Sequence, residues 1–545
     1  MLATFTRRRF LAVATTGAPL ARVTDTSTPT ATGAALHPQS AAELGASVTP
    51  SAYQYYYGDL RRYGATVAGN ITTALSSACA QAQRSGGAPV YIPSALGTSC
   101  SVTAGVTISS PITIYGDGPA VSVINTASDL TIFTLTATGG PGCVFRDFQL
   151  AGQGNRQAVI TGYISGTTLS ISSVGSGTVA VGQTIRGYAG GVTTFNSALT
   201  AGSGSSWTLN HTQSVYSPGS PGTFYLGPAN PAILCISSPY NVFERITVNG
   251  FGFGIELATG GNASYLNSLV NCSITSNAMA NIYAESQSHQ LSLFGTTFGG
   301  GHVGWGIYLT DSSGLSIHGG DCEGTAVCGI EVDNVASTGN GAHFLSGIDF
   351  EGNRDGAGNI RIGSTSVVNG LHITGCTFSE GGTGDNYAIN PQSLTGGLVS
   401  GCNFATGYGT APVNTSASGL AGLVCLGNRG YPDIVFKTAE VQSQITIGYA
   451  ASMTPNAALG NQFIVTANDS SNFTINAPSN STTGQRINLR IRNTSGGPLG
   501  TISWSAIFKM VAFTAPSNGH SADTDFIYNG THWVQVGVQS TAVPN

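Results

Sequence analysis

The feature that most constrains this chain is a repeat of 24 to 28 residues that runs through its middle. Each repeat contains a short extended run in which apolar and polar residues alternate, the pattern of a strand with one buried face. Second and third apolar runs accompany it in most periods, and turns rich in Gly, Asn and Ser separate them. Matched positions of the first run are Thr247, Ser273, Thr297, Asp321, Asp349, Thr377 and Asn403.

Three short strands in each period describe one coil of a parallel β-helix. Inward side chains of such coils stack into aliphatic columns, and outward side chains form flat polar faces. A β-propeller with longer blades and a β-sandwich are the alternatives, but neither has three strands in a period of this length. We therefore predict an all-β chain built on a parallel β-helix.

The composition agrees with a solenoid whose coils cover one another. Only 8% of the residues are charged and there are two lysines, which excludes a helical bundle or a coiled coil. A hydrophobic content of 41% excludes a disordered chain. The net charge of −5 argues against nucleic acid as a partner. No apolar run approaches the ~20 residues that span a bilayer.

The ten cysteines are interpreted as unpaired packing residues. They lie far apart, without a C-x-x-C pair or a cluster typical of a metal site. A disulfide between Cys79 and Cys100 is an alternative that no pattern supports. Unpaired thiols fit a chain that folds in a reducing compartment.

The N-terminus carries basic residues followed by a short apolar stretch. Residues 6–21 read TRRRFLAVATTGAPLA, which resembles a twin-arginine export signal. Such a signal exports folded proteins, and Gly33-Ala34-Ala35 is a candidate cleavage site. The alternative is a peptide that attaches the chain to phage tail proteins or another large assembly. Residues 22–50 are rich in Thr, Ala and Pro and are interpreted as a linker.

A motif near the N-terminus carries a family resemblance. Residues 58–95 read GDLRRYGATVAGNITTALSSACAQAQRSGGAPVYIPSA, a strand, an amphipathic helix and a second strand. This resembles the N-terminal cap of the pectate-lyase-like superfamily of right-handed β-helices, whose capping helix closes the open end of the core. The family's acidic pair before the helix is replaced by Gly69-Asn70, and the glycine after Pro93 is missing. The packed stripe would be Ala74, Leu75, Ala78 and Ala82.

Two further segments resemble phage and prophage tailspike-like proteins. Residues 38–65 are similar to the stretch that leads into the cap in those proteins, and residues 441–545 to a C-terminal β module. Because such modules hold three chains together, the resemblance implies a homotrimer in a virion tail. From its residues alone, the C-terminal segment is only a separate β-sandwich-like unit.

These patterns divide the chain into five segments. They are an N-terminal signal or attachment segment with linker (1–50), a β-helix cap with the first coils (51–157), an inserted β module (158–230), the β-helix body (231–435) and the C-terminal β module (436–545). The insertion is a candidate glycan-contacting module through Trp207, Tyr216 and Tyr225. A pair of extended loops is the alternative for it.

Acidic residues are scarce, so their positions carry information. Ten of the 24 fall between residues 311 and 385. In the alignment of the repeats, Asp321 stacks on Asp349, and in the same way Glu323 stacks on Glu351. Adjacent coils ~4.8 Å apart place the stacked pairs ~5 Å and the diagonal pairs ~8 Å apart. Retaining glycosidases separate their carboxyls by ~5–5.5 Å and inverting ones by ~6.5–9.5 Å, so both geometries are open.

Carboxylates this close cannot all stay ionised without cost, so at least one should have a raised pKa. A protonated acid beside an ionised base is what a glycosidase needs. The four candidate catalytic residues are Asp321, Glu323, Asp349 and Glu351. Their alternative interpretations are a solvated cluster bonded to turn amides, and a site that binds Ca²⁺ or a glycan without cleaving it.

The surroundings of these acids suit a sugar. Aromatic rings stack on sugar faces, and an arginine pairs with an acidic sugar. Glu331 lies in the outward column of the next strand, and His343 and His372 are interpreted as polar surface or turn residues. The candidate substrate-binding residues are Tyr283, Trp305, Tyr308, Arg354, Asp355, Arg361 and Glu380.

The family resemblance adds a second chemistry. An arginine with a carboxylate serves β-elimination on a uronic acid in pectate lyases, which usually bind Ca²⁺ on a ladder of carboxylates. Asp321, Asp349 and Glu351 are the residues that match such a ladder here. No other cofactor and no further metal is expected.

The most favoured function is a tailspike-like receptor-binding protein that binds a bacterial surface polysaccharide and depolymerises it, by hydrolysis or by elimination. One alternative is a glycan-binding adhesin or virion fibre without activity. Another is a polysaccharide lyase or hydrolase secreted through the twin-arginine pathway, which residues 6–21 favour.

Overall fold

A computed structural model describes most of the chain from residue 37 to residue 545. Within that range the structure leaves out residues 139, 155–156, 190–191, 194–196, 259, 261–263, 286–288, 301–303, 311, 313, 326, 334–341, 354–357, 364–367, 380–386, 406–407, 409–410, 416, 418, 432–433 and 436–443. The twin-arginine-like segment and its candidate cleavage site therefore lie outside the described residues.

The N-terminal end of the core is closed by a short helical cap. The α-helices of the described chain are Ala41–Gly45 and Thr72–Arg84, and the 3₁₀ helices are Leu60–Tyr63 and Ser94–Leu96. Helix Thr72–Arg84 buries the predicted stripe of small and apolar side chains, which confirms the capping helix. None of these described helices has the length and apolar character that a membrane span requires.

A buried ion pair fastens the cap. The guanidinium of Arg62 donates to Glu43 over 2.6 and 2.9 Å, and both side chains are completely buried. The same guanidinium donates to the carbonyls of His37 and Pro38, so the segment before the first helix is tied down. Hydrogen bonds from Arg62, Ser40 and Tyr63 outweigh the effect of burial and lower the pKa of Glu43.

The body is a right-handed parallel β-helix of about 14 turns, as predicted. Each full coil contributes two short strands, or one longer strand in their place, to a long sheet and one strand to a second sheet. The described strands of the long sheet are Pro89–Ile92, Cys100–Val102, Thr113–Gly116, Val123–Thr126, Val144–Arg146, Gln149–Ala151, Val242–Glu244, Thr247–Asn249, Ser268–Val270, Ser273–Ile274, Ser292–Thr297, Ser316–Glu323, His343–Ser346, Asp349–Glu351, Asn369–Thr374, Thr377–Ser379, Ser393–Ser400, Asn403–Phe404, Gly419–Leu426 and Ile434–Val435. The described strands of the second sheet are Val106–Ile108, Phe133–Leu135, Pro231–Ile236, Phe253–Ala258, Ala280–Ala284, Trp305–Thr310, Cys328–Asp333, Ile360–Ile362 and Ile389–Pro391.

The register of the long sheet confirms the alignment of the repeats. Thr247 pairs with Ser273, and this column continues coil by coil to Asn403 through the predicted positions. Inside the helix, Phe350, Phe378 and Phe404 stack with ring centroids 5.0 and 4.9 Å apart. All ten cysteines are free and buried, which confirms them as packing residues.

The expectation for His343 was wrong, because this residue lies inside the core. Its strand pairs so that His343 stands opposite Leu371 and takes the place that Leu315 holds one coil earlier. The ring is 1% exposed, and neither of its nitrogens has a hydrogen-bond partner in the described structure. The neighbouring Phe344 points outward instead, with 48% of its surface exposed.

Residues 158–227 leave the β-helix and form a sheet of their own. Its described strands are Ala158–Gly177, Thr184–Ala189, Val192–Thr193, Ser197–Ser203, Ser206–Val215 and Gly222–Gly227, with antiparallel pairing. Trp207 is 7% exposed in the core of this module, and Tyr216 packs edge-on against Phe224. The indole of Trp207 is therefore a core residue rather than a surface for a glycan.

The C-terminal segment has a hydrophobic core of its own. Its larger sheet contains Gln444–Ile447, Gln462–Ala467, Arg486–Asn493, Phe508–Lys509, His520–Tyr528 and Trp533–Pro544. A smaller sheet contains Ser452–Met453, Phe473–Ile475 and Ile502–Trp504. Parallel pairing joins the first three strands of the larger sheet. His520–Tyr528 pairs antiparallel with both Arg486–Asn493 and Trp533–Pro544, and Phe508–Lys509 pairs parallel with Trp533–Pro544.

Candidate functional site

The predicted carboxylates come together on the outer face of the long sheet. Asp321 pairs with Asp349, and Glu323 pairs with Glu351, in parallel register on adjacent strands. Alternation along each strand turns Cys322 and Phe350 into the core and the four acids outward. We call Asp321, Glu323, Asp349 and Glu351 the carboxylate ladder. The parallel register places each stacked pair on neighbouring strands, which lie ~4.8 Å apart in a sheet.

The members of the carboxylate ladder differ in their surroundings. Asp321 is half-buried below Thr297 of the preceding coil, whereas the other three acids are exposed. Burial, and then the charges of Glu323, Asp349 and Glu351, raise the pKa of Asp321 to about 6. Asp321 therefore holds its proton closer to neutral pH than an ordinary aspartate does.

No basic side chain of the described residues forms an ion pair with the carboxylate ladder. The described chain also contains no group of three or more acidic, histidine or cysteine side chains placed to hold a metal ion. The likeness of these residues to a Ca²⁺-binding ladder therefore rests on their residue types alone.

A second column of candidate residues runs along the outer face of the second sheet. Tyr283 pairs with Tyr308, Tyr308 with Glu331, and Glu331 with Arg361 on successive strands. This is the column that the repeats predicted. The rings of Tyr283 and Tyr308 stack with centroids 5.5 Å apart.

Glu331 organises the middle of this column. Its carboxylate accepts a 2.6 Å hydrogen bond from the indole of Trp305 and a 3.0 Å bond from Arg361. The indole in turn stacks on Tyr308 with centroids 4.5 Å apart. Burial raises the pKa of Glu331, although Arg361 and Trp305 act in the opposite direction.

Burial limits what this column can offer to a ligand. Trp305 is 3% exposed and Tyr283 is 8% exposed, while Tyr308 and the guanidinium of Arg361 are half-buried. The accessible parts are therefore an edge of Tyr308 and the outer side of Arg361. Trp305 holds Tyr308 and Glu331 in place from behind.

Sequence reasoning missed one carboxyl of this face. Glu256 lies in the same column, directly before Tyr283. Burial, together with the charge of Glu285, raises the pKa of Glu256 to about 7. The signal was available in the repeat, since Glu256 precedes Tyr283 by one period, but no acidic neighbour in the sequence drew attention to it.

Three of the candidate substrate-binding residues cannot be placed. Arg354, Asp355 and Glu380 lie outside the described residues. Their role stays a prediction.

The remaining histidines of these coils lie on a different face. His318 stacks on Phe294 and His372 stacks on Phe344, with centroids 5.3 and 5.0 Å apart. His318 lies near the start of Ser316–Glu323, and Gly319 and Gly320 with positive φ separate it from Asp321. His372 lies in Asn369–Thr374, the strand before Thr377–Ser379. His372 is therefore a surface residue, as expected.

The sequence matches no protein-family profile and no curated protein. Among solved structures, it is similar to the catalytic unit of the thermostable GH87 α-1,3-glucanase of Streptomyces thermodiastaticus strain HF3-3, with 16% identity, a TM-score of 0.33 and 69% of each chain covered. It is similar to the DFA-IIIase of Arthrobacter chlorophenolicus A6, with 12% identity, a TM-score of 0.35 and coverage of 68% of this chain and 91% of that one. It is also similar to the tailspike gp61 of Pseudomonas phage phi297, with 13% identity, a TM-score of 0.23 and coverage of 79% and 84%. Similarity of this size says nothing about individual side chains.

Proposed function

We propose that this protein binds a bacterial surface polysaccharide along its β-helix and hydrolyses it at the carboxylate ladder. The observation that carries the proposal is the register that stacks Asp321 on Asp349 and Glu323 on Glu351. Glycoside hydrolysis needs two carboxyl groups at such separations, one protonated and one ionised. The raised pKa of Asp321 makes this residue the protonated carboxyl of the pair.

In the proposed reaction Asp321 is the general acid. Its proton goes to the glycosidic oxygen as the bond from that oxygen to the anomeric carbon breaks. In the inverting form, Glu351 on the diagonal takes a proton from water, whose oxygen bonds to the anomeric carbon. In the retaining form, Asp349 bonds to the anomeric carbon first. Water then displaces Asp349 and gives its proton to the ionised Asp321, which restores the acid. Glu323 keeps the local charge negative, which holds the proton on Asp321.

Hydrolysis is favoured over elimination for a physical reason. β-Elimination from a uronic acid requires a cation to neutralise the sugar carboxylate, as Arg or Ca²⁺ does in such lyases. The described carboxylate ladder has no basic partner, and its own charge repels an acidic sugar. Arg354, outside the described residues, is the remaining candidate for that role.

The test is incubation of the full chain with purified capsular and exopolysaccharides. New reducing ends are expected without absorbance from an unsaturated uronate, and NMR of the first product distinguishes inversion from retention. Asp321→Asn should lower kcat by at least ~100-fold and leave glycan binding intact. Glu351→Gln should have the same effect if the product is inverted, and Asp349→Asn if it is retained. A matched control is Thr377→Ala on the next coil of the same column, which should keep activity.

Other outcomes point to other functions. Binding without product by the wild-type chain would support the adhesin or fibre, and uronate absorbance would support a lyase. We further propose that the chain is a homotrimer in a virion tail. Sedimentation equilibrium at three times the 55.3 kDa chain mass is expected. An exported bacterial enzyme would instead show a cleaved N-terminus on sequencing of the native protein.

A further inference from the structure

A polar cleft opens where the inserted module meets the β-helix. Its volume is about 800 Å³, within the range of clefts that hold small ligands. The β-helix side contributes Asp129 and Asn230, and the module side contributes Val181 and Gln183. Gln153 and Gln157, on the connection into the module, complete the wall.

A relay of amides fixes the orientation of the three glutamines. The backbone N–H of Ala180 donates to Gln183, so the amide nitrogen of Gln183 must donate to Gln157, over 3.0 Å. Gln157 then donates to Gln153 over 2.7 Å, and Gln153 donates to the carbonyl of Ala127. Because a backbone donor and a backbone acceptor pin the two ends, none of the amides can flip without losing bonds.

The cleft keeps hydrogen-bonding capacity for a ligand. Each carboxylate oxygen of Asp129 accepts one backbone N–H, from Ala229 or Asn230, and retains a further lone pair. The side-chain oxygen of Asn230 and one N–H each of Gln153 and Gln157 have no partner among the described residues. Neutral donors and acceptors held in fixed directions, with a single charge, match the hydroxyl groups of an uncharged sugar.

The position of the cleft relates it to the carboxylate ladder. Gln153 follows the strand of Gln149, and Gln149 stands in the column that leads through Thr247 to Asp321. Four coil spacings separate Gln149 from Asp321, which corresponds to ~19 Å along the axis of the β-helix. The cleft therefore adjoins the end of the Gln149 strand, four coils toward the N-terminus from the carboxylate ladder.

We propose that this cleft is a binding subsite for a neutral sugar segment of the polysaccharide. It lies toward the N-terminus from the site of cleavage, so the glycan runs along the solenoid axis. The identity of the polysaccharide rests on the proposed function, but binding in the cleft does not require cleavage at the ladder. The protein then holds an extended chain at two points rather than one.

The first experiment is a crystal soak of the full chain with glucose, galactose, mannose and N-acetylglucosamine together at high concentration. A sugar ring in the cleft, with hydroxyls on Asp129 and Asn230, is expected. Only water in the cleft would overturn the inference.

The second experiment blocks the cleft without removing any of its hydrogen bonds. Val181 is 58% exposed at the cleft, and Val174 is 51% exposed on the same module away from it. In the Asp321→Asn background, Val181→Trp should weaken binding of the long polysaccharide by roughly tenfold, and the matched Val174→Trp should not. Val181→Trp alone should raise KM for long chains and leave cleavage of short fragments unchanged.

The two proposals fail in different ways. Absence of cleavage with binding that depends on Val181 would remove the hydrolase and leave the subsite standing. Cleavage and binding that are equal in the wild type and in Val181→Trp would remove the subsite and leave the hydrolase standing.

Discussion

Replacing His343 by leucine should stabilise the protein, and more in acid than at neutral pH. The ring is buried with two unbonded nitrogens in a column that holds Leu315 before it and Leu371 after it. Leucine restores the aliphatic column and removes two polar atoms that lost their water on folding. A gain of about 1 kcal/mol or more in the free energy of unfolding is expected at pH 7.

The larger effect depends on pH. Burial lowers the pKa of His343 from 6.5 to about 4. The unfolded chain therefore binds a proton below pH 6.5, while the folded chain binds one only below about pH 4. Stability from the neutral ring is fully present above pH 6.5 and is lost as the pH falls toward 4. At ~1.4 kcal/mol per pH unit, about 2.5 kcal/mol is lost by pH 4.5.

Urea unfolding of the wild type and of His343→Leu at pH 7.0 and pH 4.5 measures this difference. The variant should lose about 2.5 kcal/mol less than the wild type between the two pH values, because all other groups are shared. His372→Leu, at a surface position opposite Phe344, is the matched control and should follow the wild type. If His343→Leu and the wild type lost equal free energy of unfolding between pH 7.0 and pH 4.5, the ring would not be buried in its neutral form.

Three further predictions concern other parts of the molecule. First, kcat should fall as the pH rises above about 6, since Asp321 must keep its proton, and a rate that stays level to pH 8 would exclude it as the acid. Second, Glu43→Gln should lower the free energy of unfolding by roughly 3 kcal/mol at pH 7, because Arg62 then stays buried without its counter-charge. The lowered pKa of Glu43 means that its contribution is present above pH 4.5 and lost in stronger acid, so urea midpoints of the variant and the wild type should converge there. Exposed Glu244→Gln is the control for this pair and should change stability by less than ~1 kcal/mol. Third, the native protein should leave its ten cysteines unreacted with a thiol reagent, and all ten should react in denaturant; rapid labelling of the native chain would contradict their burial.

The sequence predicted the body of the molecule because the period of the repeat and the alternation within it act together. Once Asp321 and Asp349 are matched by period, their pairing follows from the parallel register, as the structure confirms. The capping helix was predicted for a similar reason, since its apolar stripe has one face to bury.

The features that sequence missed depend on neighbours rather than on pattern. His343 breaks the aliphatic alternation of its column, and nothing in the local sequence tells whether a histidine there is inside or outside. Trp305 resembles a stacking platform, yet its indole is turned to Glu331 and covered. Burial of this kind is set by coils 24 to 30 residues away, which a reading of one segment does not contain.

The inserted module has a consequence for how such proteins diversify. Phe145 before the insertion pairs with Phe243 after it, and Gln149 pairs with Thr247, as if no residues lay between the two coils. The inserted module therefore begins and ends within one coil, and the strand register of the coils on either side is unchanged. The whole inserted module, and with it one wall of the cleft, can therefore be exchanged in evolution without a change in the β-helix.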